Sequence, residues 1–154
     1  MDVRDAASED APAACEVLRR SITELCVADH RNDPDILARW LANKTPEMVA
    51  SWIGQPTNSV LVAVEDGAIL AVGSVSDRGE IGLNYVSPDA RFRGASRALL
   101  KALEARARER CNARCTLVST ETARRFYLSA GYADTAEPTV TFGVRSYPMA
   151  KDLT

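Results

Sequence analysis

Residues Val86 to Leu100, V-S-P-D-A-R-F-R-G-A-S-R-A-L-L, constrain this chain more than any other stretch. An apolar strand end runs through Pro88 into a basic, glycine-containing turn and then into a helix. Such a junction gathers the backbone N–H groups of Arg91 to Ser96 at a helix start. There the macrodipole carries roughly +0.5 charge and the first donors lack intrahelical partners. A diphosphate fits that environment. In the plainer alternative, Gly94 only permits a tight turn and the arginines are solvated.

A second segment, Ser119 to Tyr132, reads S-T-E-T-A-R-R-F-Y-L-S-A-G-Y. Ala123, Phe126, Tyr127 and Ala130 fall on one helical face, and Gly131 suits the position just past a helix end. Plain core packing accounts for Phe126. Tyr127 points to chemistry, because a buried phenol needs a polar partner.

Together the two segments resemble the GNAT superfamily of acetyl-CoA-dependent N-acetyltransferases. The first follows the family's Gln/Arg-x-x-Gly-x-Gly/Ala turn, with Ser96 at the last small position. The second follows Asn-x-x-Ala-x-x-Phe/Leu-Tyr-x-x-x-Gly-Phe/Tyr, with Thr120 replacing the asparagine that often touches the pantetheine arm. The resemblance implies a single domain over residues 1–154. Its fold is mixed α/β: a central, largely antiparallel sheet with a splayed parallel strand pair, flanked by helices.

The resemblance also implies acetyl-CoA as co-substrate and no metal. Backbone groups of Asn84, Tyr85 and Val86 would pair with the pantetheine, with Thr120 at the position that touches the same arm, and Arg91, Phe92, Arg93, Gly94, Ala95 and Ser96 would hold the diphosphate. The implied reaction moves an acetyl group to a primary amine of a small molecule or peptide by direct attack in a ternary complex. The competing reading is a non-catalytic sensor or interaction module that binds CoA or an acyl-CoA.

Attack needs a neutral amine, yet an alkylamine of pKa about 10.4 is neutral in only roughly one molecule per thousand at pH 7. Glu80 is the candidate base, since its spacing before Gly94 matches the catalytic glutamate of the histone-acetylating branch. Regular strand alternation would place it on one face with Asn84 and Val86, about 13 Å along the strand from Asn84. A solvated glutamate at a strand start is the alternative. Tyr127 is the candidate acid for the departing thiolate. His30, the one histidine, lies in the polar segment A-D-H-R-N-D-P and reads as an exposed loop residue.

At 154 residues the chain can bury one substantial core unaided. A net charge of −2 supplies no general attraction for nucleic acid or anionic lipid, so neither is an expected partner. Cys15 and Cys26 stand about 16 Å apart along one predicted helix, too far for a bridge. Cys111 and Cys115 lack metal-ligand spacing. No apolar signal core or membrane-length run is present, and a reducing cytoplasm is the expected setting. A homodimer is compatible with this pattern.

The remaining pattern predicts a strand at Val3–Asp5, a helix from Ser8 or Asp10 to Cys26, and short helices opened by Asp33-Pro34 and Thr45-Pro46. Trp40 and Trp52 fall there and read as core anchors. Ser59–Glu65 and Ala68–Ser76 form a hairpin across Asp66-Gly67. Strand Glu80–Val86, helix Ser96–Arg110, strand Arg114–Ser119 and helix Thr122–Ala130 follow. Tyr132–Thr135 and Ser146–Lys151 close the chain as weak strands.

Overall fold

The computed structural model describes residues 1–153. Four antiparallel strands form a first sheet in the order β1 (Asp2–Asp5), β2 (Asn58–Glu65), β3 (Ala68–Ser76) and β4 (Ile81–Val86). The β2–β3 turn has positive φ at both Asp66 (51°) and Gly67 (79°), as a tight two-residue hairpin requires. A second sheet is built on β8 (Val144–Asp152), flanked by β5 (Arg114–Ser119) and the two-residue β6 (Ala133–Asp134). The strand β7 (Thr139–Thr141) folds back on β8 as a hairpin.

The two sheets meet where Glu80 and Thr116 form a parallel bridge and Thr116 N–H donates to Gly79 O at 2.9 Å. Beyond that bridge β4 and β5 have no further ladder pairing among the described residues, so the expected single sheet opens as a V.

Helices cover both faces of the first sheet. On one lie α1 (Ala11–Leu25) and α4 (Pro46–Ile53), whose Ala14, Leu18 and Val49 pack on Val60, Val62 and Val72. On the other lies α5 (Ala95–Glu109), whose Leu99 and Leu103 pack on Leu61, Ala71 and Val75. Gly73 permits this close approach, since a Cβ there would come within 2.8 Å of Leu103 Cδ1. Two short helices, α2 (Val27–His30) and α3 (Pro34–Leu41), follow α1, and α6 (Glu121–Ser129) follows β5. Asp33 caps α3 and Thr45 caps α4, with proline at the first helical position of each.

Several expectations change. The first long helix starts at Ala11 rather than Ser8 or Asp10, behind a single 3₁₀ turn, and Cys26 lies just past its end. The last strand is not weak: β8 is the central strand of its sheet. Its Pro148 stands opposite Val118, while Tyr147 and Met149 are buried. Trp40 and Trp52 are half-buried, and Trp52 packs on the first-sheet core.

His30 is the clearest reversal, being fully buried rather than exposed. Its Nδ1 accepts the Asn32 N–H at 3.0 Å, which fixes the proton on Nε2, and Nε2 lies 3.0 Å from Ile22 O and 3.1 Å from Thr23 O. Both ring nitrogens are thus spent on tying α2 to the end of α1.

Candidate active site

A cleft of about 450 Å³ occupies the open V between β4 and β5. At its outer end stands the turn before α5. Gly94 has φ +81°, and a Cβ built on it would meet nothing within 4 Å, so the backbone there is free to be approached. The first backbone bond of this helix is Ala98 N–H to Gly94 O at 3.0 Å. Among the described residues, none of the amides of residues 91–97 makes an intramolecular hydrogen bond of good geometry, beyond the looser closure of the turn itself. Helix dipole and unpaired donors therefore coincide at one point, a ready anion site.

Along the walls, strand pairing decides which backbone groups face the gap. Ser87 N–H donates to Leu70 O at 2.7 Å, so the two-residue alternation of an antiparallel ladder turns Tyr85 and Leu83 toward β3. Asn84 and Val86 present their N–H and C=O to the cleft. The expectation for Tyr85 is corrected accordingly: its side chain lines the cleft, but its backbone is committed to β3. On the opposite wall the same alternation, set by Thr116 at the bridge, turns Val118 toward the gap, and its side chain is 66% exposed.

Tyr127 lies at the cleft base, 6% exposed, with its ring edge-on to Phe126 at 5.3 Å and Tyr132 at 5.6 Å. Burial pushes its phenol up to about 12, and the neighbouring Asn84 amide partly offsets that rise. Asn84 Oδ1 is buried without a hydrogen-bond partner, leaving an acceptor unused beside the phenol. The Cys26 thiol is raised by burial and by the Asp29 charge, to about 12, and so stays protonated at neutral pH.

The turn residues divide. Arg91, Phe92, Gly94, Ala95, Ser96 and Thr120 line the cleft. Ala95 is 1% exposed, so its side chain belongs to the core and only its backbone serves the site. The Arg93 side chain turns away to pair with Glu65, so only its backbone amide is left to the anion site. Thr120 uses its hydroxyl oxygen to cap α6, accepting Ala123 N–H at 3.1 Å.

Glu80 is exposed and does not line the cleft. Ser74 pairs with Leu83 and Val75 with Ile81, so Gly82 is an extra, bulged residue. The bulge shifts the alternation: Ile81 joins Val86 on the α5 side, which leaves Glu80 on the opposite face from Asn84 and Val86. A glycine inside a strand pattern was the signal that could have revealed this.

Sequence reasoning missed the wall made by Ser21, Leu25 and Cys26 at the end of α1, together with Arg97, Val118 and Ser119. It also missed the tie that fixes this wall. The buried Asp29 carboxylate accepts Glu121 N–H at 2.7 Å, Thr122 N–H at 3.3 Å and the Thr122 hydroxyl, binding α2 to the start of α6. Among the described residues no group of three or more His, Cys, Asp or Glu is placed to hold a metal ion.

Comparison with known proteins identifies the fold and the family. The family profile described as an acetyltransferase (GNAT) domain matches residues 24–153. The chain belongs to the GNAT acetyltransferase family. A GCN5-related N-acetyltransferase from Rhodopseudomonas palustris is 23% identical with a TM-score of 0.87, over 99% of this chain and 95% of that one. The PaiA N-acetyltransferase of Thermoplasma acidophilum, solved in complex with coenzyme A, is 18% identical with a TM-score of 0.82, over 98% of each chain. YncA, an acetyltransferase-like protein of Salmonella typhimurium solved with acetyl-CoA, is 24% identical with a TM-score of 0.70, over 100% of this chain and 94% of that one. No curated protein matches the sequence.

For coenzyme A the residues of this GNAT domain fit. Unpaired amides stand where a diphosphate would lie, strand-edge groups of Asn84 and Val86 face the gap, and an orphaned acceptor waits beside Tyr127. Among the described residues no helix is long and apolar enough to cross a membrane.

Proposed function

We propose that this protein transfers an acetyl group from acetyl-CoA to a primary amine by direct attack within a ternary complex. One observation carries the reading. The same cleft joins the unpaired amides ahead of α5, the open edge of β4 and the buried Tyr127 phenol, in the order that a diphosphate, a pantetheine and a thioester would need.

Acetyl-CoA, when bound, supplies an activated acyl carbon and a thiolate leaving group. The residues of this chain do the rest. Amides 91–97 stabilise negative charge at the mouth, and Asn84 and Val86 offer strand-like backbone bonds along the gap. A backbone N–H of that edge can donate to the thioester oxygen as charge builds there. The amine nitrogen forms the new C–N bond as the C–S bond breaks. Tyr127 holds a proton on its hydroxyl throughout neutral pH and gives it to the departing sulfur, and the proton that the nitrogen releases to solvent restores the phenol.

The acceptor enters between the end of α1 and β4, where Ser21, Leu25, Cys26, Leu83 and Tyr85 form the wall. Release of free thiol from acetyl-CoA across small amines and peptide N-termini tests the reading. Turnover with at least one amine supports it. Tight CoA binding with no thioester loss against any of them favours the sensor alternative.

A further inference from the structure

Phe92 has no structural reason to be an apolar residue. Its side chain is 90% exposed and buries nothing. Its backbone sits at φ +66°, a left-handed conformation that a bulky aromatic residue rarely adopts and that glycine would adopt without strain. Strain of this kind persists where a site needs the side chain. The ring is not idle either: the Arg91 guanidinium lies over it, 4.6 Å from the centroid. The pair lines the outer end of the cleft, in the same turn as the unpaired amides.

Connectivity then limits what can meet that ring. A ligand with its thioester at Tyr127 and its diphosphate on amides 91–97 projects whatever follows the diphosphate out past the turn. In coenzyme A that is an adenosine, a flat π-system with a negatively charged 3′-phosphate. Phe126, the other aromatic residue near the mouth, is partly buried against the core, edge-on to Tyr127 and covered by Arg97 at 5.5 Å. Phe92 alone of the two has a ring face open to a base.

We propose that Phe92, backed by Arg91, is the platform on which the adenine of bound coenzyme A stacks, a specificity contact that rests on the acetyl-CoA reading above. Aromatic stacking of a base needs only a π-face, and a guanidinium on the same ring adds attraction for the nearby phosphate.

The test compares two probes, coenzyme A and 4′-phosphopantetheine, which lacks the 3′-phospho-AMP half and so keeps one phosphate but no base, by calorimetry on wild-type protein, Phe92→Ala and Phe92→Trp. The Ala variant keeps the left-handed backbone demand and removes only the ring. The expected result is coenzyme A binding weakened roughly fivefold to a hundredfold in Phe92→Ala and retained in Phe92→Trp, with 4′-phosphopantetheine binding changed less than about twofold. Equal loss for both probes would assign Phe92 to turn geometry and overturn the proposal. Unchanged coenzyme A binding in Phe92→Ala would overturn it as well. If wild-type protein binds neither probe, the acetyl-CoA reading falls first and this one with it.

Discussion

Replacing Tyr127 by phenylalanine removes one buried hydroxyl and leaves the ring that packs against Phe126 and Tyr132. The fold should survive. Packing area is unchanged, and the loss falls on the Asn84 amide, whose Oδ1 already lacks a partner. Leaving a buried polar group further unsatisfied costs about 1–3 kcal/mol. At about 2–4 °C per kcal/mol for a domain of this size, the melting temperature should drop by only several degrees.

Turnover should suffer far more. A positioned proton donor contributes about a hundredfold or more, which is about 2.7 kcal/mol of transition-state stabilisation. The loss should appear in kcat, with coenzyme A affinity unchanged, because no diphosphate or strand-edge group is touched. Single-turnover release of thiol from acetyl-CoA, followed from pH 6 to 9, reads the chemical step directly. With the wild-type phenol raised to about 12, Tyr127 stays protonated through that window, so the deficit should be uniform across it. A Phe variant that matches the wild-type rate, with chemistry limiting, would make Tyr127 a packing residue and return the thiolate's proton to water.

Other expectations are independent of that one. Gly94→Glu should abolish stabilisation by coenzyme A, which for the wild type is about 2.7 kcal/mol at a hundredfold excess over Kd, while a thermal scan still shows a folded protein. Arg93→Ala should leave coenzyme A affinity within about twofold, because its guanidinium pairs with Glu65 outside the cleft; a tenfold loss by calorimetry would contradict this placement. Stability should fall as pH rises. The Cys26 thiol ionises near 9.0 when unfolded but near 12 when folded, so its contribution is complete below about pH 9 and lost as pH climbs through the folded value. Urea melts of Cys26→Ala should show a flatter decline between those pH values than wild type. An identical decline would assign the alkaline instability to the buried tyrosines.

How much of this was legible in the sequence depends on the range of the interaction that decides each feature. The β2–β3 hairpin was legible because Asp66-Gly67 meets a purely local demand, two successive positive φ values. The turn before α5 was legible for the same reason, since the donors it exposes are fixed by where one helix begins. Phe92 shows the limit of that logic: its place in the turn was visible, but its left-handed backbone and bare ring were not.

Features set by a partner strand escaped. Tyr85 was placed on the cleft edge by its backbone, yet which of Asn84, Tyr85 and Val86 face the gap follows from the register with β3, established by Ser87 and Leu70. Glu80 failed through one residue, the bulged Gly82, because a period-2 argument reverses every side chain beyond an insertion. The polar run around His30 reads locally as a solvated loop. It is buried because the ring satisfies three backbone groups, at Ile22, Thr23 and Asn32, and because Asp29 beside it caps a helix that begins some ninety residues later in the chain. The cleft wall at Ser21, Leu25 and Cys26 depends on that long-range tie. A substitution at Asp29 should therefore alter this wall of the cleft and the Tyr127 helix together, a coupling that no local pattern in either segment announces.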